Sequence, residues 1–334
     1  MYCKKCGYQL KYNETICPFC KHDSNEVIIS KKTEEKPKPS YGQYQNYFAT
    51  EEEKCEKFRN NNGYVKLNTR WVHHLFVAAG GYLLMNLLSI IIVLIVQSIY
   101  TSKGYDFSCI QPDLSHDACA IGVFETYVKI SSVAQLVAEI LVVALIAVVF
   151  RKYIKEFIKQ FKDNTTWKWF ALGFALMYGC NFLYSTILTL LNVQIETNAN
   201  QAAVNQVIIN SPILGFFFVV VAAPLFEEII FRFGVFRCFT DKDERKQIIG
   251  IVIVTLLFAG IHMSSTFEQA FMDPSNIDWA LIGNDMLSLP VYLIGAFFLT
   301  FSYYKSKNLL TPITIHMAWN LLSYIANLLT PVMP

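Results

Sequence analysis

From Trp71 onward the chain alternates long apolar runs with short polar ones, and seven runs stand out, at roughly 73–100, 126–150, 168–192, 212–238, 247–267, 287–304 and 309–330. A helix needs about 20 mostly apolar residues to cross the hydrocarbon core, and each run is close to that length or longer. The pattern predicts an all-α polytopic membrane protein, a bundle of about seven transmembrane helices. Residues 71–334 form this membrane domain. Ahead of it the pattern is lost. Residues 23–70 are rich in Lys, Glu, Asn, Tyr and Pro, with the run KKTEEKPKPS. Such a composition buries too little apolar area to offset chain entropy, which predicts a flexible cytoplasmic linker.

Basic residues set the orientation. The linker is basic, loop 101–123 holds only Lys103, and 151–162 (RKYIKEFIKQFK) is strongly basic. Segment 193–211, read as a loop, has no Lys or Arg. The turn at 237–246 has Arg237, Lys242, Arg245 and Lys246, segment 265–286 has none, and Lys305 and Lys307 follow the sixth run. Lys and Arg concentrate on the cytoplasmic side, so the N-terminus is expected inside, the C-terminus outside, and the protein in the plasma membrane. Trp71, Trp167 and Trp169 sit at run edges, as an aromatic belt would place them. Within 151–162, Ile154, Phe157, Ile158 and Phe161 recur at helical spacing between lysines, which fits an interfacial amphipathic helix or a cytoplasmic extension of the second span.

Composition sharpens this reading. The 334 residues are 54% hydrophobic and only 16% charged, against about 25% charged in a typical soluble domain. The net charge of +2 decides nothing. The chain opens on a cysteine cluster with no signal peptide ahead of it, which fits a reducing cytoplasm. Within residues 1–22, Cys3, Cys6, Cys17 and Cys20 form two CxxC pairs. Four thiolates suit a structural zinc ion, and so short a module has little core of its own. A zinc ribbon is expected, with a redox CxxC as the alternative. A protein contact or regulation is its expected role; nucleic-acid binding is not. Cys109 and Cys119 share an outer loop and either pair or stay free. Cys55, Cys180 and Cys238 read as incidental.

Polar side chains within the spans ask for a reason, since each costs a few kcal/mol to insert. The fourth span reads VVVAAPLFEEIIFRFGVF. Glu228 and Arg232 are four apart and pair on one helix face, which leaves Glu227 about 100° away without that partner. A carboxylate without a countercharge in low dielectric suits proton abstraction; a salt-bridge knot that only holds helices together is the competing reading. The fifth span holds His262, with Phe258 one turn earlier, and the seventh holds His316 and Asn320 on one face. At 1.5 Å per residue, Glu227 lies roughly 22 Å from the outer end of its span, His262 roughly 22 Å from the inner end of its own, and His316 only about 10 Å from residue 309. Glu227 and His262 therefore meet only if the fourth helix continues through Phe231–Phe239 and the fifth runs past residue 264. His73 and His74 read as interfacial. Glu139, mid-span in the second helix, lines a cavity or, protonated, bonds to a neighbouring helix.

The motifs EEIIFR (227–232), FAGIH (258–262) and HMAWN (316–320) occur in the order EExxxR, FxxxH, HxxxN. This resembles the CPBP family, which contains type II CAAX prenyl endoproteases and bacteriocin-processing and abortive-infection proteins. The likeness covers about residues 168–330. It implies an intramembrane endopeptidase in which Glu227 deprotonates a water, His262 helps hold that water, and His316 and Asn320 stabilise the oxyanion. Glu228, Arg232 and Phe258 would support them. Two His and a Glu could also ligate a catalytic zinc, although no HExxH stands on one helix, and a metal-free mechanism is favoured. A membrane-bound, lipidated or otherwise hydrophobic peptide is the implied substrate. The ribbon resembles those of bacterial membrane proteins, so the source is expected to be bacterial. Two other readings stay open: a non-catalytic scaffold, immunity or sensor protein of the same fold regulated through the ribbon, and a small transporter. The transporter predicts inverted repeats, and none is visible in the sequence.

Overall fold

The structure is a computed structural model and describes residues 62–110, 119–120, 122–193, 197–264 and 279–329. The predicted zinc ligands Cys3, Cys6, Cys17 and Cys20, and Cys55 with most of the linker, lie outside the described residues. The chain divides into two compact units, Met1–Asn68 and Thr69–Pro334. The second is the membrane domain, and its described residues contain no strand.

Its helices in chain order are α1 (Trp71–Thr101), α2 (Val123–Val149), α3 (Arg151–Lys159), α4 (Asn164–Leu190), α5 (Ala199–Asn210), α6 (Pro212–Phe239), α7 (Glu244–His262), α8 (Trp279–Ser306) and α9 (Leu310–Leu329). Among the described residues, six are long and apolar enough to cross a membrane: α1, α2, α4, α6, α7 and the Ile282–Ser306 part of α8. The seventh expected span is present as the 20-residue helix α9 but falls outside that set of six. It carries His316, Asn320 and Asn327 among its Leu and Ile, and the first two bond to α6 rather than facing lipid.

Burial runs opposite to that of a water-soluble protein. Leu83, Leu94, Val149, Phe182 and Leu190 are exposed, while Glu139, Asn181, Glu228, Arg232, Thr300 and His316 are buried. Exposed apolar faces of this extent suit lipid, and polar groups inside the bundle are those a spanning helix must pair. On α2 the inward residues Ala134, Ala138 and Val142 recur every four positions; small side chains there let helices approach closely.

Two expectations about connections are corrected. Segment 193–211 contains α5, capped by Asn198, whose Oδ1 accepts a hydrogen bond from Gln201 N at 2.8 Å. Val207 and Ile208 of α5 pack on Phe218, Val219 and Val220 of α6 and on Tyr324 of α9. The fifth helix stops at His262 instead of running past residue 264. By contrast α6 does continue to Phe239. The helix starts follow from local chemistry: Asp163 accepts from Thr165 N at 2.9 Å to cap α4, and Asp243 accepts from Lys246 N at 3.1 Å to cap α7. The amphipathic α3 is a separate helix, since Phe150 breaks from helical geometry between α2 and α3 (φ −98°, ψ 15°).

The helix that carries the acidic pair is irregular. In α6, π-helical turns span Phe216–Ala222 and Ile229–Val235, either side of the α-helical Ala223–Glu228. Pro224 lies inside this helix and has no N–H, so carbonyls one turn earlier lose a donor. Such π-bulges concentrate at functional positions.

Candidate active site

Glu227 and Glu228 end the short α-helical segment of α6. Arg232 lies one turn on, and its Nη1 donates to Glu228 Oε1 at 2.8 Å, with both side chains fully buried. The pair forms across the start of the π-helical turn, as the four-residue spacing predicts. Arg232 Nη2 also donates to Ala296 O of α8 at 3.1 Å, and its guanidinium carbon lies 4.8 Å from the centroid of the Phe258 ring. A buried guanidinium is tolerable only with such a set of partners.

From α9, His316 reaches the same acidic pair. Its Nδ1 donates to Glu228 Oε1 at 2.9 Å, while Nε2 lies 3.7 Å from Glu227 Oε2. The first contact fixes which ring nitrogen carries the proton and turns the other edge toward Glu227. Glu227 is less buried than Glu228, with 21% of its side chain exposed against 0%. Its Oε2 has no hydrogen-bond partner among the described residues. That oxygen is itself buried, so its hydrogen-bonding capacity is left unspent.

Asn320 lies one turn beyond His316. Its Nδ2 donates to Val219 O at 2.8 Å. Within a π-helical turn Val219 O would take its bond from the residue five positions on, which is Pro224 and has no N–H. One N–H of the Asn320 amide supplies that missing donor, and the other is left over.

His262 joins the cluster through aromatic rings rather than through Glu227. Its Nδ1 donates to Phe258 O at 2.8 Å. Phe258 stacks on it at 4.6 Å and meets the His316 ring edge-on at 5.9 Å. The structure therefore brings Glu227, Glu228, Arg232 and His316 into direct contact, with Phe258 as the shared wall between the two imidazoles.

Residues 209–322 match the family model for type II CAAX prenyl endopeptidase Rce1-like proteins. This match and the two relatives below support the resemblance of the membrane domain to the CPBP family. The chain is 28% identical over 163 residues to the membrane-embedded CAAX protease MroQ of Staphylococcus aureus (strain USA300), an alignment covering 49% of this chain and 59% of that protein. It is 25% identical over 165 residues to the UPF0177 protein YvdC of Lactococcus lactis subsp. lactis (strain IL1403), covering 48% of this chain and 54% of that one. The chain thus spans a little over half the length of the curated relatives it matches. No solved structure matches it.

The sequence pattern gave no role to one residue of the site and no fixed partner to another. Tyr292 of α8 lies against His262, with ring centroids 4.7 Å apart; an aromatic residue in an apolar run gives no signal of its own. Glu139 of α2 is only 2% exposed and lies within electrostatic reach of Glu227. Its hydrogen bond comes from Gln135 of its own helix at 3.2 Å, not from a neighbouring helix as one reading expected, and its Oε2 has no partner among the described residues. The buried His74, expected at the interface, instead bonds Phe233 O of α6 at 3.1 Å. Cys109 and Cys119 are disulfide-bonded.

Among the described residues no three His, Cys, Asp or Glu side chains gather as a metal ligand set would. His316 Nδ1 and His262 Nδ1 both face oxygens of the protein. An apolar groove of about 720 Å³ opens between α2 and α6, walled by Leu136, Ile140, Phe217, Val221 and Leu225 among others. None of the motif residues lines it, but its wall runs along α6 up to two residues before Glu227.

Proposed function

We propose that the membrane domain is an intramembrane endopeptidase that hydrolyses a peptide bond of a membrane-bound or lipidated substrate with a water activated by Glu227. The observation that carries this is the 3.7 Å approach of His316 Nε2 to Glu227 Oε2, braced by Glu228 and Arg232 behind it. Glu227 takes a proton from water as the hydroxide oxygen bonds to the peptide carbonyl carbon. The oxyanion so formed is stabilised by His316 and by the second N–H of Asn320. Glu227 then returns the proton to the leaving amine as the C–N bond breaks, which balances the reaction. His262 helps hold the water through its Nε2 edge. Glu228 holds the His316 ring in one tautomer, and Arg232 offsets the charge of Glu228. Water is scarce in such a site, so each electrostatic contact is stronger than at a surface. The groove on α6 supports an apolar or lipid-bearing substrate.

The remaining expectations are part of the same proposal. Cys3, Cys6, Cys17 and Cys20 hold a structural zinc, and the ribbon contacts a regulatory protein partner. The N-terminus is cytoplasmic and the C-terminus extracellular, a placement supported by the Cys109–Cys119 disulfide on the predicted outer loop.

The test is the near-isosteric Glu227→Gln in proteoliposomes and in cells, with membrane peptides compared by mass spectrometry. Loss of a general base lowers cleavage by about 10²–10⁴-fold, and uncut substrate should accumulate. A scaffold or sensor would keep its cellular phenotype in the Glu227→Gln variant, and equal cleavage by that variant rejects the catalytic assignment.

A further inference from the structure

His262 ends α7 and so has no following turn of that helix to hold its ring. Two aromatic rings do that instead. Phe258, one turn earlier, lies at 4.6 Å and 29° to the imidazole plane. Tyr292, from α8, lies at 4.7 Å and 30°. With rings this close and nearly parallel, the imidazole cannot turn about its Cβ–Cγ bond without displacing one of them. Its Nδ1–H is committed to Phe258 O at 2.8 Å. In the neutral ring Nε2 then carries the lone pair, and the flanking rings fix where it is directed.

Tyr292 is itself tethered. Its hydroxyl accepts from Asn200 Nδ2 at 3.1 Å and donates to Asn198 Oδ1 at 3.1 Å. Asn198 Oδ1 is also the cap of α5, accepting from Gln201 N at 2.8 Å. The Tyr292 hydroxyl therefore joins the first turn of α5 to the ring that sits on His262. Tyr292 is within electrostatic reach of Glu227. α5 contains none of the three motifs.

We infer that Tyr292 is a positioning residue for His262, and that the first turn of α5, through Asn198 and Asn200, sets the orientation in which His262 presents Nε2. The placement of the ring follows from the geometry alone; its effect on turnover rests on the endopeptidase reading. Movement of α5 would loosen Tyr292 and, with it, His262. This makes α5 a structural means of control over the site.

The experiment uses the full chain in lipid nanodiscs with ¹⁵N-imidazole histidine, the His262 signal being assigned with His262→Gln. Wild type should show one Nδ1–H tautomer with ring-current-shifted carbon-bound protons. In Tyr292→Leu the ring current is lost and both tautomers appear, while Tyr292→Phe keeps the stack and the single tautomer. Cleavage by Tyr292→Leu should fall about 10- to 100-fold in kcat with KM little changed, as expected of a misplaced group, and Tyr292→Phe should recover most of it. An unaltered His262 signal in Tyr292→Leu overturns the inference. Should that variant not fold, Asn200→Ala decides: a displaced His262 signal supports the tether, an unchanged one refutes it. If the wild type cleaves no peptide, the endopeptidase reading fails, and the spectrum still settles the placement of His262.

Discussion

Glu228 and Glu227 are neighbours in different surroundings, and burial separates them. Glu228 Oε1 accepts from both Arg232 and His316 and is sealed from solvent. Glu228→Gln would leave the Arg232 guanidinium without its countercharge, which costs about 3–5 kcal/mol for a broken buried pair. A clearly lowered thermal midpoint in detergent is expected for that variant, while Glu227→Gln, which breaks no such close ion pair, should unfold near the wild-type temperature. Asn320 poses the same question of structure against chemistry. Replacing it with Leu leaves Val219 O without a donor, at about 1–3 kcal/mol. Pro224→Ala restores an N–H to the carbonyls one turn earlier, so Asn320→Leu should destabilise less in that background. A double-mutant cycle by denaturation reads the coupling, and strict additivity would reject the link between Pro224 and Asn320. The motif residues were legible in the sequence because ionisable groups are conspicuous in apolar runs. The partner of each was not: helical spacing implied Glu228–Arg232, but not that His316 would bond Glu228 or that Asn320 would spend one N–H on the backbone.

At the scale of elements, α6 departs most from a regular helix. Its two π-helical turns place the acidic pair on a short α-helical segment between them. It also comes very close to α1. A Cβ on Gly234 would lie 2.9 Å from Ala78 Cβ and 3.1 Å from Ala78 Cα and N. Backbone cannot yield as a flexible side chain can. Gly234→Val should therefore destabilise by about 1–3 kcal/mol, the usual cost of overpacking, and lower the thermal midpoint; an unaffected midpoint would mean the two helices separate easily. Spans were readable from apolar runs, but their ends were not. α8 begins at Trp279, well before the run at 287, and continues through Pro290. α5 escaped notice because ANQAAVNQVIIN has no clear amphipathic period, and its burial comes from α6 and α9.

The whole molecule joins a membrane domain to a cysteine-bearing N-terminal segment. If Cys3, Cys6, Cys17 and Cys20 form a zinc site, the purified full-length protein should carry about one zinc per chain, four thiolates to the ion. Cys3→Ser with Cys6→Ser should remove it, by metal analysis, while leaving the helical content of the membrane domain intact. Metal persisting in the double variant would place it elsewhere. The sequence by itself determined that this chain is a bundle of membrane helices and which of them carry ionisable groups, because a bilayer imposes length and polarity residue by residue. Tertiary structure alone decided which of those groups touch. A side chain's partner depends on how three helices cross and where an irregular turn rotates one of them, and neither is written in the composition or period of any single segment.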